Sequence, residues 1–140
     1  MAKSEPVNVS QTPGIELYKN FFQSMDEVLA DLRARELWPM TLVMDVHRAL
    51  PIHRHYVDMY TYVMEGTAPV LHDPVLDTTY EITKGDLMIM RAGTYHAEGD
   101  TDQRVVYIMG FPRAGHLYDL VRSMPEDRKA LEALRHQAQM

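Results

Sequence analysis

The sequence predicts a mainly β domain: a sandwich or barrel of short strands, preceded by one helix and followed by helices. Three observations carry this. Between residues 40 and 110 the chain breaks into runs of four to ten residues rich in β-branched and aromatic side chains. Turn formers separate those runs at regular intervals, at Pro51, Glu65-Gly66, Asp73-Pro74, Lys84-Gly85, Gly93 and Gly99-Asp100. Apolar spacing becomes helical only outside this region.

Residues 1–14 are polar, contain Pro6, Pro13 and Gly14, and read as a loose arm. In "SMDEVLADLRARELWP" Ser24 and Glu27 stand at capping-box spacing, and Val28, Leu29, Leu32 and Leu37 recur at helical intervals, with Pro39 marking the end. Strands are expected over 40–49, 52–57, 59–65, 67–72, 78–83, 86–90, 95–98 and 104–110. After Pro112 the pattern is helical again, first in "GHLYDLVRSM" and then in "PEDRKALEALRHQAQ". There Pro125 suits a first helical turn, and Glu126 and Asp127 suit its positive end. The reading is one domain over 1–140: arm and helix to residue 38, β-barrel over 40–112, helical segment from 113.

Composition removes several classes of function. With 140 residues and 46% apolar side chains the chain can bury a core of its own. A net charge of −6 argues against nucleic acid as a partner. The absence of cysteine excludes disulfides and thiolate metal sites. No signal-peptide core or membrane-length apolar run is present, so the expected location is the cytoplasm. Eleven methionines are the compositional oddity, and they are read as adaptable core filling.

Candidate chemistry begins at "LPIHRHYVDMYTYVMEG", residues 50–66. Residues two apart on a strand share a face, so His53 and His55 present two imidazoles side by side, a common arrangement for a divalent metal. Further on, "KGDLMIMRAGTYHAEGD" carries Gly85, Gly93 and His96. Together these stretches resemble the cupin family. Its first motif has the form G-x5-H-x-H, a gap of three or four, Glu, then six residues to Gly. Its second has the form G-x5-P-x-G-x2-H-x3-N. His53, Arg54, His55 and the closing Gly66 match the first motif; Gly85, Gly93 and His96 match the second. The resemblance covers roughly residues 40–110. It implies a jelly-roll barrel with His53, His55 and His96 converging as metal ligands, and pairing as a homodimer.

Four positions depart from the family pattern. Val46 and His47 occupy the neighbourhood of the first motif's leading glycine. Arg91 replaces the proline of the second motif, and Asp100 its asparagine. The glutamate ligand is missing: its position falls on Met59 or, with the longer gap, on Tyr60, and Asp58 is one residue short. A three-histidine site with open positions is therefore expected, an arrangement the resemblance associates with certain non-haem iron dioxygenases. Asp58 or Tyr60 as a fourth, oxygen ligand, Met59 as a soft ligand to copper, and a barrel without metal are the alternatives. Iron is the expected metal, with manganese, nickel, zinc and copper behind it.

Around such a site Tyr60 and Glu98 are the candidate acid–base groups. Arg48 and Arg91, as carboxylate binders, together with Tyr62 and Met59, are the candidate substrate contacts. His47 is a possible supporting group, whereas His72, His116 and His136 are expected at the surface. The expected function is a metal-dependent enzyme on a small, anionic or enolisable organic molecule, foremost a dioxygenase. A metal-dependent lyase or isomerase and a non-catalytic small-molecule binder are the competing readings.

Overall fold

The computed structural model describes residues 5–114, 123–124 and 128–140. Within them lie ten strands and two helices: β1 (Ile15–Tyr18), α1 (Met25–Ala34), β2 (Trp38–Met44), β3 (Leu50–His55), β4 (Met59–Glu65), β5 (Leu71–Asp73), β6 (Thr78–Tyr80), β7 (Leu87–Met90), β8 (His96–Glu98), β9 (Val105–Phe111), β10 (Ser123–Met124) and α2 (Arg128–Gln139). All pairings are antiparallel and form two five-stranded sheets, ordered β1-β7-β4-β9-β2 and β10-β3-β8-β5-β6. Every expected strand is present, several of them shortened at one end.

The main core is the layer between the sheets, built from inward side chains such as Leu17, Val63, Leu71, Ile82 and Val105. A second apolar layer lies on the outer face of the first sheet, where Val28 and Leu32 of α1 cover Tyr62, Leu87, Ile89 and Ile108. β4 is consequently buried on both faces. The close approach of the helix depends on Gly110 of β9, where a Cβ would stand 2.7 Å from Leu32 Cδ2 and 2.9 Å from Leu37 Cδ1.

Both ends of α1 are satisfied. Ser24 is the N-cap and its Oγ accepts from Glu27 N at 3.2 Å, while the Glu27 carboxylate reaches back to Gln23 N. The helix stops well before Pro39. Glu36 N donates to Arg33 O at 3.1 Å and Leu37 N to Leu32 O at 2.9 Å, a Schellman closure with Glu36 at φ +58°. Pro39 instead sits within β2, where an edge strand tolerates its missing N–H.

Two further expectations are corrected. Residues 8–14, within the described part of the arm, are tied down rather than loose. Thr12 Oγ1, buried, donates to Asp73 Oδ2 at 2.6 Å and lies 2.6 Å from Tyr80 Oη, while the Asn8 side chain accepts from Leu17 N at 2.9 Å. The Thr12 bonds join the lead-in of β1, in one sheet, to β5 and β6, in the other. In "GHLYDLVRSM", Ser123–Met124 is a strand against Arg54–His55 instead of helix. The rest of that stretch, with His116, and the proposed Pro125 helix start lie outside the described residues. α2 buries Leu131 and donates from Arg135 Nε to Pro74 O at 3.0 Å. Among the described residues no helix is long and apolar enough to cross a membrane.

Candidate metal centre

His53 and His55 project from the same face of β3, and His53 pairs directly with His96 of β8. Two features hold this register. A bulge between Leu50 and His53 re-aims the end of β3, and Gly93, at φ +81°, turns the chain so that its N–H donates to His55 O at 2.9 Å. Arg54, of opposite parity, leaves the cluster and stacks over the Tyr95 ring at 4.9 Å. Ring centroids of the three imidazoles are 4.1 Å (His53–His96), 4.9 Å (His53–His55) and 5.1 Å (His55–His96) apart. One nitrogen from each lies within 4.8 Å of the others.

Hydrogen bonding orients two of the rings. His53 Nδ1 is 2.8 Å from Pro51 O and His96 Nδ1 is 3.0 Å from Thr94 O. A carbonyl can only accept, so each Nδ1 carries the proton and each Nε2 keeps its lone pair for a metal. His96 is 1% exposed. Its pKa falls from 6.5 to about 3, chiefly because burial penalises the imidazolium, with His53 and His55 adding repulsion against the opposing pull of Thr94 O. The ring is neutral at physiological pH, the state a metal requires. Three convergent imidazoles of this kind fit a divalent transition metal, and no carboxylate joins their cluster among the described residues.

The cluster opens into a cavity of about 830 Å³ between the sheets. Its walls are largely aliphatic and thioether, with Met44, Met59, Met88, Met90 and Met109 all contributing. Glu98, two residues past His96 on β8, lines it, and so does Arg48. Arg48 is an exposed residue 3.2 Å from Asp102, which places it at the rim. Of the two positions where the family glutamate could fall, Met59 faces the cavity.

Tyr60, Tyr62, Arg91 and Asp58, by contrast, do not line the cavity. Tyr60 and Tyr62 occupy the outer face of β4, against α1, and neither lines the cavity. Tyr62 is fully buried and its hydroxyl donates to the Asp31 carboxylate; burial and that carboxylate push its pKa far up. Tyr60 Oη accepts from Arg91 Nη1 at 3.0 Å, and Arg91 also pairs with Glu16 at 3.0 Å and Asp58 at 3.5 Å, so Arg91 lies outside the cavity too. Asp58 accepts from Ala92 N at 2.7 Å, which employs it in the β7–β8 turn rather than as a ligand. His72 bonds Asp77 at 2.8 Å in the β5–β6 turn, and His136 is exposed on α2.

Two further groups line the cavity beside the cluster: His47, expected only as a supporting group, and Tyr107, for which the sequence raised no expectation. His47 Nδ1 donates to Gly99 O at 3.1 Å, leaving Nε2 3.4 Å from Glu98 Oε2. Tyr107 is buried, and desolvation followed by the nearby Glu98 carboxylate drives its pKa up, so its hydroxyl stays protonated. The sequence signal for His47 is its strand phase with Asp45 and Ala49. For Tyr107 there was none beyond strand parity.

No protein-family model and no curated protein matches the sequence. Solved structures do. A DUF861 family protein from Thermotoga maritima superposes with a TM-score of 0.50 at 18% identity, over 69% of this chain and 98% of its own. A dTDP-4-dehydrorhamnose 3,5-epimerase from Bacillus anthracis, with TDP and PPi bound, superposes at 0.51 and 10%, over 82% of each chain. A cupin-2 domain containing protein from Shewanella frigidimarina gives 0.40 at 14%, over 78% and 80%. Identities this low speak for the fold alone. With two facing antiparallel sheets and a histidine cluster in the cavity between them, the chain has the cupin fold.

Proposed function

We propose that this chain is a metal-dependent enzyme acting on a small organic molecule held in the inter-sheet cavity, with iron as the metal and dioxygenase chemistry as the reaction class. The observation that carries the reading is the cluster itself: three imidazoles, His53, His55 and His96, with no carboxylate of the described residues among them and a cavity in front. A divalent metal held there would supply Lewis acidity and open positions for substrate and dioxygen. The chain's own residues do the rest. Met59, Met88 and Met90 give the cavity an apolar wall. The Tyr107 hydroxyl offers a hydrogen bond, and Glu98 can accept a substrate proton with His47 beside it.

That last arrangement favours a second reading, a metal-assisted isomerase or lyase in which Glu98 moves the proton. The two differ in whether turnover consumes dioxygen, which an oxygen electrode reads directly. The test of both is metal content by elemental mass spectrometry on protein purified without chelator. The expected result is close to one transition metal per chain in wild type, lost in His53→Ala, His55→Ala and His96→Ala and kept in His72→Ala and His136→Ala. Equal retention in both groups refutes the centre.

A further inference from the structure

The distribution of polarity inside the cavity names a ligand class. Among the described residues, all its polar side chains other than Thr61 belong to the histidine cluster, to the His47–Glu98–Tyr107 group beside it, or to the rim residue Arg48, already paired with Asp102. Elsewhere the walls include Leu42, Val63, Ile82 and the methionines, and no lysine among the described residues lines them. A charged or polyhydroxylated tail entering there would lose its hydration without a compensating partner, whereas an apolar tail gains by burial. Thioether side chains adapt to the shape of what they enclose. Such walls select for hydrophobic size over outline.

We propose that the cavity takes a predominantly apolar molecule with one compact chelating head, the head at the histidine cluster and an aliphatic or aromatic body between the sheets. This rests on the reading of the cavity as the substrate site and narrows the expected anionic substrates to those charged only at the head.

The experiment is a chain-length series of n-alkyl hydroxamates, from acetohydroxamate to octanohydroxamate, titrated calorimetrically into zinc-loaded protein. In parallel, n-alkanols of the same lengths are titrated into metal-free protein. Affinity is expected to tighten about threefold to fourfold per added methylene in both series. The monohydroxamate of suberic acid, charged at the far end, should bind at least about tenfold more weakly than octanohydroxamate. Val63→Phe, which fills the cavity, should flatten the gradient; if that variant does not fold, the wild-type series decides alone. A flat hydroxamate series with acetohydroxamate still bound overturns the apolar chamber and leaves the metal centre standing. A graded alkanol series in a protein that takes up no zinc supports the chamber and overturns the metal reading. Flat series in both arms overturn the proposal.

Discussion

In metal-free protein, acidification from about pH 7.5 to about pH 5 should destabilise the wild type by about 2 kcal/mol more than His96→Gln. The cause is the burial of His96, which drops its pKa in the folded chain from 6.5 to about 3. Between those values the unfolded chain binds a proton that the folded chain refuses, so stability is fully present above 6.5 and declines as the pH falls toward 3. Each pH unit in that window is worth ~1.36 kcal/mol, and about pH 5 lies roughly 1.5 units into it. No discount for solvent screening is needed at 1% exposure. Glutamine cannot titrate, and taking the difference between the two pH values cancels whatever the substitution costs at neutral pH. The assay is urea unfolding of chelator-treated protein at both pH values. Parallel losses in wild type and variant would show that His96 takes up its proton in the folded state, and the case for a pre-neutralised metal ligand would go with it.

Three further outcomes are expected. Tyr62→Phe should cost about 1–2 kcal/mol by removing the bond to Asp31, which keeps its 2.8 Å pairing with Arg35, while metal content stays at the wild-type level; a loss of metal would place Tyr62 in the site after all. Gly66→Ala should cost roughly 2–4 kcal/mol in thermal or urea unfolding, because the residue holds φ +81° and an added Cβ would lie 2.4 Å from Arg104 O; an unchanged midpoint would contradict the strand register there. Glu98→Gln should retain full metal stoichiometry, since Glu98 stands beside the histidine cluster and not within it; metal loss would make it a ligand.

How much of this was legible in the sequence differs from residue to residue. His53 and His55 could be placed together because strand parity puts residues two apart on one face, whatever surrounds them. Tyr60 and Tyr62 share a face by the same rule, but parity does not say which face. "MYTYVM" is apolar at both parities, and the choice was made by α1, which covers the outer side of β4. Arg91 is drawn away by Glu16, a partner that sheet pairing brings in, whereas Asp58 faces away from the histidines as regular strand parity requires and is held by Ala92 N. β1 was overlooked although Ile15 and Leu17 alternate with Glu16 and Tyr18, because a four-residue strand after a polar arm carries little signal. Pro39 marks a chain break in local terms, yet at a sheet edge its missing donor costs nothing.

The five methionines around the cavity have a consequence in time as well as in shape. Thioethers are the side chains most readily carried to sulfoxide, which turns a soft apolar surface into a polar, chiral one. If the neighbouring centre handles dioxygen, every oxidant that escapes it meets Met44, Met59, Met88, Met90 or Met109 first. The lining would then act as a sacrificial layer, and the pattern of sulfoxides along these five positions would be a written record of how often the centre misfires.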